Sequence, residues 1–156
     1  MIHQFYADRE QMSHALPMLR TLVNPLRHSQ LGFKPAPTEW SIVEIVGHLI
    51  DTEQLLRYRI TRMITLDHPS IIPYDQDAAV IRNGYQHADV HALLRTLDEE
   101  RAQTLRAFAG YTAAHLSRTG WHLEYGLWVV TNVISYLAKH DSMHNAQIRA
   151  NIRAAQ

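Results

Sequence analysis

Residues 127–153, LWVVTNVISYLAKHDSMHNAQIRANIR, decide how this chain is read. The run has no glycine or proline, and Val130, Val133, Leu137, His144 and Ile148 recur at the spacing of one helix face, with His140 at its edge. It predicts a helix over about 127–153. His140 and His144 are four residues apart, so their imidazoles stand one turn apart on the same side, a spacing that chelates a transition metal. Two histidines rarely hold a metal alone, and His48 is the best candidate for the third ligand.

Upstream of this stretch, three more helical segments are expected. In the first, Met12, Leu16, Leu19, Val23 and Leu26 form an amphipathic stripe, which Pro17 must either kink or precede. Residues 30–38 hold Gly32, Pro35 and Pro37 and read as a connector. The second helix has a marked start, Ser41 with Glu44 three residues on, which is a capping box. Ile42, Ile45, Leu49, Leu56, Ile60 and Met63 form its buried stripe, and Asp67-His68-Pro69 must end it near Leu66. A connection of more than twenty residues follows, with Pro69, Pro73 and Asn83-Gly84, broken by a short helix around 78–82. Connections beyond about 12–15 residues are uncommon in compact domains and often cover functional sites. The third helix starts after Asp89 as N-cap, shows Val90, Leu94, Leu97 and Leu105 on one side, and ends by Gly110. No segment alternates as a sustained strand. The expected fold is all-α, a four-helix bundle with a long loop between helices 2 and 3, occupying residues 1–156 as one domain.

Composition narrows the function classes. Fifteen basic and fifteen acidic residues balance, which gives no electrostatic footprint for nucleic acid. The longest apolar stretch is too short to span a bilayer, and the first residues lack the basic segment and apolar run of a signal peptide. A cytoplasmic protein with no membrane partner is expected. Cysteine is absent, which removes disulfides and thiolate metal sites.

Eleven histidines make a chance His-x-x-x-His pair easy to meet, and each of the three could equally be a core-edge residue satisfied by a hydrogen bond. All three, however, fall at the border between core and water, where a catalytic metal must sit to be both held and reachable. A carboxylate-bridged di-iron centre needs Glu-x-x-His on two helices, and no glutamate here has a histidine three residues later.

Trp40-Ser41 ahead of His48-Leu49, and the run Lys139 to Arg149 with its His-Asp-x-x-His-x-x-Gln-Ile ending, resemble the DinB/YfiT-like superfamily of metalloenzymes. The loop from Ile72 to Asp77 is similar to loops of that superfamily as well. The likeness covers nearly the whole chain in the same order. It implies an up-down-down-up four-helix bundle, one divalent metal on His48, His140 and His144, and frequent homodimers. Relatives of this kind include enzymes that use a low-molecular-weight thiol such as bacillithiol, mycothiol or glutathione.

Three neutral imidazoles leave a metal its full charge and an open position, where the pKa of a water or thiol falls toward neutrality. Zinc or nickel heads the candidates, and iron or manganese is compatible. Glu44 and Asp141 are candidates to support the ring nitrogens facing away from the metal, beside their plainer readings as helix cap and surface carboxylate. Tyr74, Tyr125 and Trp128 are candidate pocket walls. Arg59, on the His48 side of the second helix, is a candidate for an anionic cofactor, beside a solvated face shared with Arg57 and Arg62. Two function classes follow. One is a metal-dependent enzyme on a small-molecule substrate, a thiol S-transferase or isomerase, or a hydrolase. The other is a non-catalytic metal-binding stress-response or interaction module, whose structural ion would need a fourth protein ligand, from the loop or from His122.

Overall fold

Ser41 caps the second long helix as its sequence demands: the Glu44 backbone N–H donates to Ser41 Oγ, and Glu44 Oε2 accepts from the Ser41 backbone N–H at 2.8 Å. Asp75 and Asp89 cap two later helices by accepting from the backbone N–H groups of Ala78 and His91. The structure, a computed structural model describing all 156 residues, runs α1 (Ile2–Val23), α2 (His28–Leu31), α3 (Ile42–Thr65), β1 (Ser70–Ile71), α4 (Gln76–Arg82), a 3₁₀ turn (Tyr85–His87), α5 (Val90–Ala109), α6 (Ala113–Leu116), β2 (Thr119–His122), β3 (Gly126–Val129) and α7 (Val130–Ala154). The long helices α1, α3, α5 and α7 form the four-helix bundle. α1 packs on α5 and α7, and α3 packs on the same two from the other side. No helix is long and apolar enough to cross a membrane.

One boundary is corrected. The last helix begins at Val130, because Leu127-Trp128-Val129 extends into β3 instead. The all-α class holds, with one small addition: β3 pairs antiparallel with β2, and β2 pairs parallel with β1, giving a three-stranded sheet beside the bundle. Strands of two to four residues are too short for alternation to register in the sequence. The turn between β2 and β3 is set by Gly126, whose φ of 73° suits a residue without Cβ. The first helix neither starts nor stops at Pro17. Met12, Leu16, Leu19 and Val23 are buried on both sides of it, and that packing outweighs a proline's cost of about 3 kcal/mol in a helix interior.

The long connection is strapped to the bundle. Asp51 on α3 accepts from the Tyr74 and Tyr85 hydroxyls at 3.3 and 2.7 Å and from Asn83 Nδ2. The Tyr85 ring lies directly on Gly47, where a Cβ would come within 2.2 Å of it.

The core falls into two apolar clusters. Leu16, Leu19, Leu49, Leu94 and Ile148 belong to one; Phe5, Met12, Ile60, Phe108 and Ile134 belong to the other. Between them, along α3, α5 and α7, lies a polar layer centred on Arg101 of α5. Arg101 donates to both Glu53 carboxylate oxygens (3.1 and 2.9 Å), to Asp141 Oδ1 (3.0 Å) and to the Met12 carbonyl (2.8 Å), and so touches all four helices. Asp141 Oδ2 also lies 2.9 Å from the same guanidinium nitrogen, without hydrogen-bond geometry.

Candidate metal centre

His48 projects from α3 and His140 and His144 from α7, beside the polar layer. His48 and His140 are 2% and 3% exposed, and His144 is partly buried. His140 Nε2 lies 3.2 Å from His48 Nε2 and 3.1 Å from His144 Nε2. Imidazoles sharing one ion at about 2.0–2.1 Å place their nitrogens roughly 2.9–3.4 Å apart, from right-angle to tetrahedral arrangements. The spacing therefore fits a common ion. It is less suited to a hydrogen-bonded trio, since three ring nitrogens of one kind cannot all satisfy one another.

One of the three outward nitrogens has the partner a ligating histidine uses. His144 Nδ1–H donates to Gln147 Oε1 at 2.8 Å, which leaves its Nε2 lone pair free to bind. His48 Nδ1 and His140 Nδ1 are buried without a partner in the chain. Burial pushes the pKa of both rings down to about 3, with the neighbouring imidazoles adding to it, and burial lowers His144 too. At neutral pH all three are neutral, the form that ligates a metal. The Trp40 ring covers the back of the cluster, 4.6 Å from His48 and stacked on His144.

Neither candidate carboxylate reaches a histidine. Glu44 is committed to the start of α3 and to Lys34 Nζ at 2.7 Å. Asp141 is 3% exposed and bound to Arg101, so it is neither beside a ring nitrogen nor on the surface. One residue of helix is a rotation of about 100°, which turns Asp141 toward the bundle axis while His140 faces the site.

In front of the histidines opens a cavity of about 560 Å³, the size of a small-molecule site. His48 and His140 line it, and so do Tyr74, Tyr125, Trp128 and Arg59. Arg59 is 8% exposed, so it does not share a solvated face with Arg57 and Arg62. His122 lines the cavity but stays out of the histidine cluster. Its Nδ1 accepts from the backbone N–H groups of Glu124 and Tyr125, and its ring stacks on Trp128. Sequence reasoning missed Asn132 and Tyr136, which also line the cavity. Their signal was present, since they precede His140 by eight and four residues on its own helix face. It also missed Arg101, which nothing in the spacing of charges marks as buried.

Fold and site together define a four-helix-bundle protein with a trihistidine centre of the kind that supports a divalent metal. The profile of the DinB superfamily matches residues 11–148, and the chain belongs to that superfamily. Among solved structures it is similar to YfiT from Bacillus subtilis, described as "a probable metal-dependent hydrolase with an unusual four-helix bundle topology". The two share 21% identity and a TM-score of 0.91, over 98% of this chain and 88% of that one. No curated protein matches the chain.

Proposed function

We propose that this protein is an enzyme that holds one divalent metal ion on the Nε2 atoms of His48, His140 and His144 and acts on a small molecule in the adjoining cavity, with hydrolysis as the leading reaction. The approach of His140 Nε2 to the other two at 3.1–3.2 Å, with the ligand atoms of all three histidines within 4.8 Å of one another, carries this reading. When bound, such an ion supplies Lewis acidity that lowers the pKa of a water or thiol at its open position. The chain's own part is to hold the ligands neutral by burial, to orient His144 through Gln147, and to present His48 and His140 to the cavity. No fourth histidine or carboxylate joins the cluster, and only the Thr52 hydroxyl lies beside it, 3.3 Å from His48 Nε2, which favours an open centre over a closed structural one. YfiT's description as "a probable metal-dependent hydrolase" supports the same class.

A second reaction, transfer to a small-molecule thiol, has one observation in its favour. The cavity's one carboxylate, Glu124, is exposed on the β2–β3 turn, and none touches the histidines. A thiol that coordinates a metal is deprotonated outright, whereas hydrolysis needs a group to shuttle a proton to the leaving atom. The chain has no cysteine, so that thiol would come from outside.

Protein purified without chelator should carry one divalent ion per chain by elemental analysis, and His144→Ala should carry none. A normally folded protein that takes up no zinc or nickel on reconstitution would sink the proposal. Turnover of 4-nitrophenyl esters, set against conjugation of small thiols to 1-chloro-2,4-dinitrobenzene, separates the two reactions.

A further inference from the structure

His48 and Arg59 stand eleven positions apart on α3. That is three turns, so both project from one face with about 16 Å of helix rise between their Cα atoms. Thr52, Leu55 and Leu56 occupy the interval, and all five line the same cavity. The cavity is a trench along α3 with the histidines at one end and a guanidinium at the other.

That guanidinium lacks a counter-charge. Arg59 donates to the Ile72 carbonyl and lies over the Trp128 ring at 5.5 Å, but it forms no ion pair. A guanidinium carries five donors and stays charged even when burial works against it, so most of its hydrogen-bonding capacity is unused. Beside it, His122 is 2% exposed and uses Nδ1 to accept from two backbone N–H groups. The remaining ring proton therefore sits on Nε2, which has no partner in the chain. Arg59 and His122 thus present an unpaired cation and an unused N–H donor side by side to the cavity, a pair that an anion would complete.

We propose that Arg59 and His122 form an anion subsite, and that the trench takes an elongated small molecule ending in a carboxylate. Its apolar middle lies over Leu55 and Leu56, and its reactive end reaches His48 and His140. The proposal rests on the metal-dependent reading for the reactive end alone.

The test uses calorimetry on the full chain with two probe pairs. In metal-stripped protein, octanoate should bind at least about tenfold more tightly than octanamide, the range of a charge-assisted hydrogen bond. Arg59→Gln should abolish that preference, Arg59→Lys should keep part of it, and His122→Gln should reduce it. In zinc-loaded protein, suberic acid monohydroxamate should exceed octanohydroxamate by a similar factor, and Arg59→Gln should equalise the two without weakening octanohydroxamate. Equal binding of octanoate and octanamide by the wild type overturns the subsite, as does a preference that survives Arg59→Gln. Tighter binding of octyl phosphate than of octanoate overturns the carboxylate assignment. If the hydroxamates fail while octanoate succeeds, the metal reading has failed and the subsite stands.

Discussion

Arg101 and Arg59 are both buried, 4% and 8% exposed, yet Arg101 meets two carboxylates and Arg59 meets none. The same contrast separates neighbours on α7. Asp141 faces an opposite charge, while the Nε2 of His140 faces two more nitrogens of its own kind. A cluster whose members complete one another ties helices together and needs nothing further. A cluster of like groups is complete only when something is added. Both regions are largely buried, so burial alone does not tell architecture from site; the presence or absence of partners does.

The largest expected effect breaks the complete cluster. Arg101→Met leaves Glu53 and Asp141 as uncompensated buried carboxylates, and removing one partner of a buried pair costs about 3–5 kcal/mol. Urea denaturation of the folded fraction reads it. Arg59→Met strands no carboxylate and should cost about 1 kcal/mol for the hydrogen bond to Ile72. Equal losses in the two variants would erase the contrast.

The incomplete cluster should respond to addition. Zinc at a hundredfold its dissociation constant should stabilise the wild type by about 2.7 kcal/mol, because the folded state alone presents the assembled site. Thermal melting should show that gain vanish in His144→Ala, whose metal-free stability stays near wild type. A gain of the same size in Arg101→Lys, if it folds, would show that the two regions act independently.

The sequence displays these regions unequally. Helices α3, α5 and α7 were legible because their apolar stripes and the caps Ser41 and Asp89 are local features, and the i,i+4 pair on α7 follows from helix geometry alone. His48 needed a tertiary contact; its position at the edge of the second helix's apolar stripe nominated it, and the resemblance of its flanking motif implied the triad. Arg101 was invisible because its partners come from three other helices, 40 to 89 residues away in the chain. The sheet was invisible for a similar reason: Ser70–Ile71 becomes a strand by pairing with Trp121–His122, which no local pattern announces.

Acid titration distinguishes the regions by sign. His48 and His140 have folded pKa values near 3 against an ordinary value of 6.5, so the unfolded chain takes up their protons first. In metal-free protein their contribution is complete above pH 6.5 and is lost as the pH falls toward 3, by up to about 1.4 kcal/mol per pH unit for each group. Asp141 runs the other way. Burial pushes it up to about 6 from an ordinary 3.8, so the folded state takes up that proton first and its contribution becomes more favourable as the pH falls between those values. Stability curves against pH should therefore flatten in His140→Gln and steepen in Asp141→Asn. Parallel curves for both variants and wild type would show that neither group has the folded-state pKa its burial implies.

The smallest effect expected sharpens the comparison at a single hydrogen bond. Gln147 is the one side chain that completes an outward nitrogen of the cluster, through His144 Nδ1 at 2.8 Å, whereas the Nδ1 atoms of His48 and His140 have no such support. Gln147 is partly exposed, so its removal leaves His144 Nδ1 within reach of water and should barely move the stability of the metal-free protein. It should still loosen the ring and free its tautomer, and loss of such an outer partner typically costs 10–100-fold in metal affinity. For a half-solvated position the lower bound applies, so Gln147→Ala should weaken zinc binding about tenfold in a competition titration. Gln147→Glu, which still accepts from Nδ1–H, should retain wild-type affinity or exceed it. If Gln147→Ala binds zinc as the wild type does, His144 is held by packing against Trp40 instead, and its orientation belongs to the self-contained architecture.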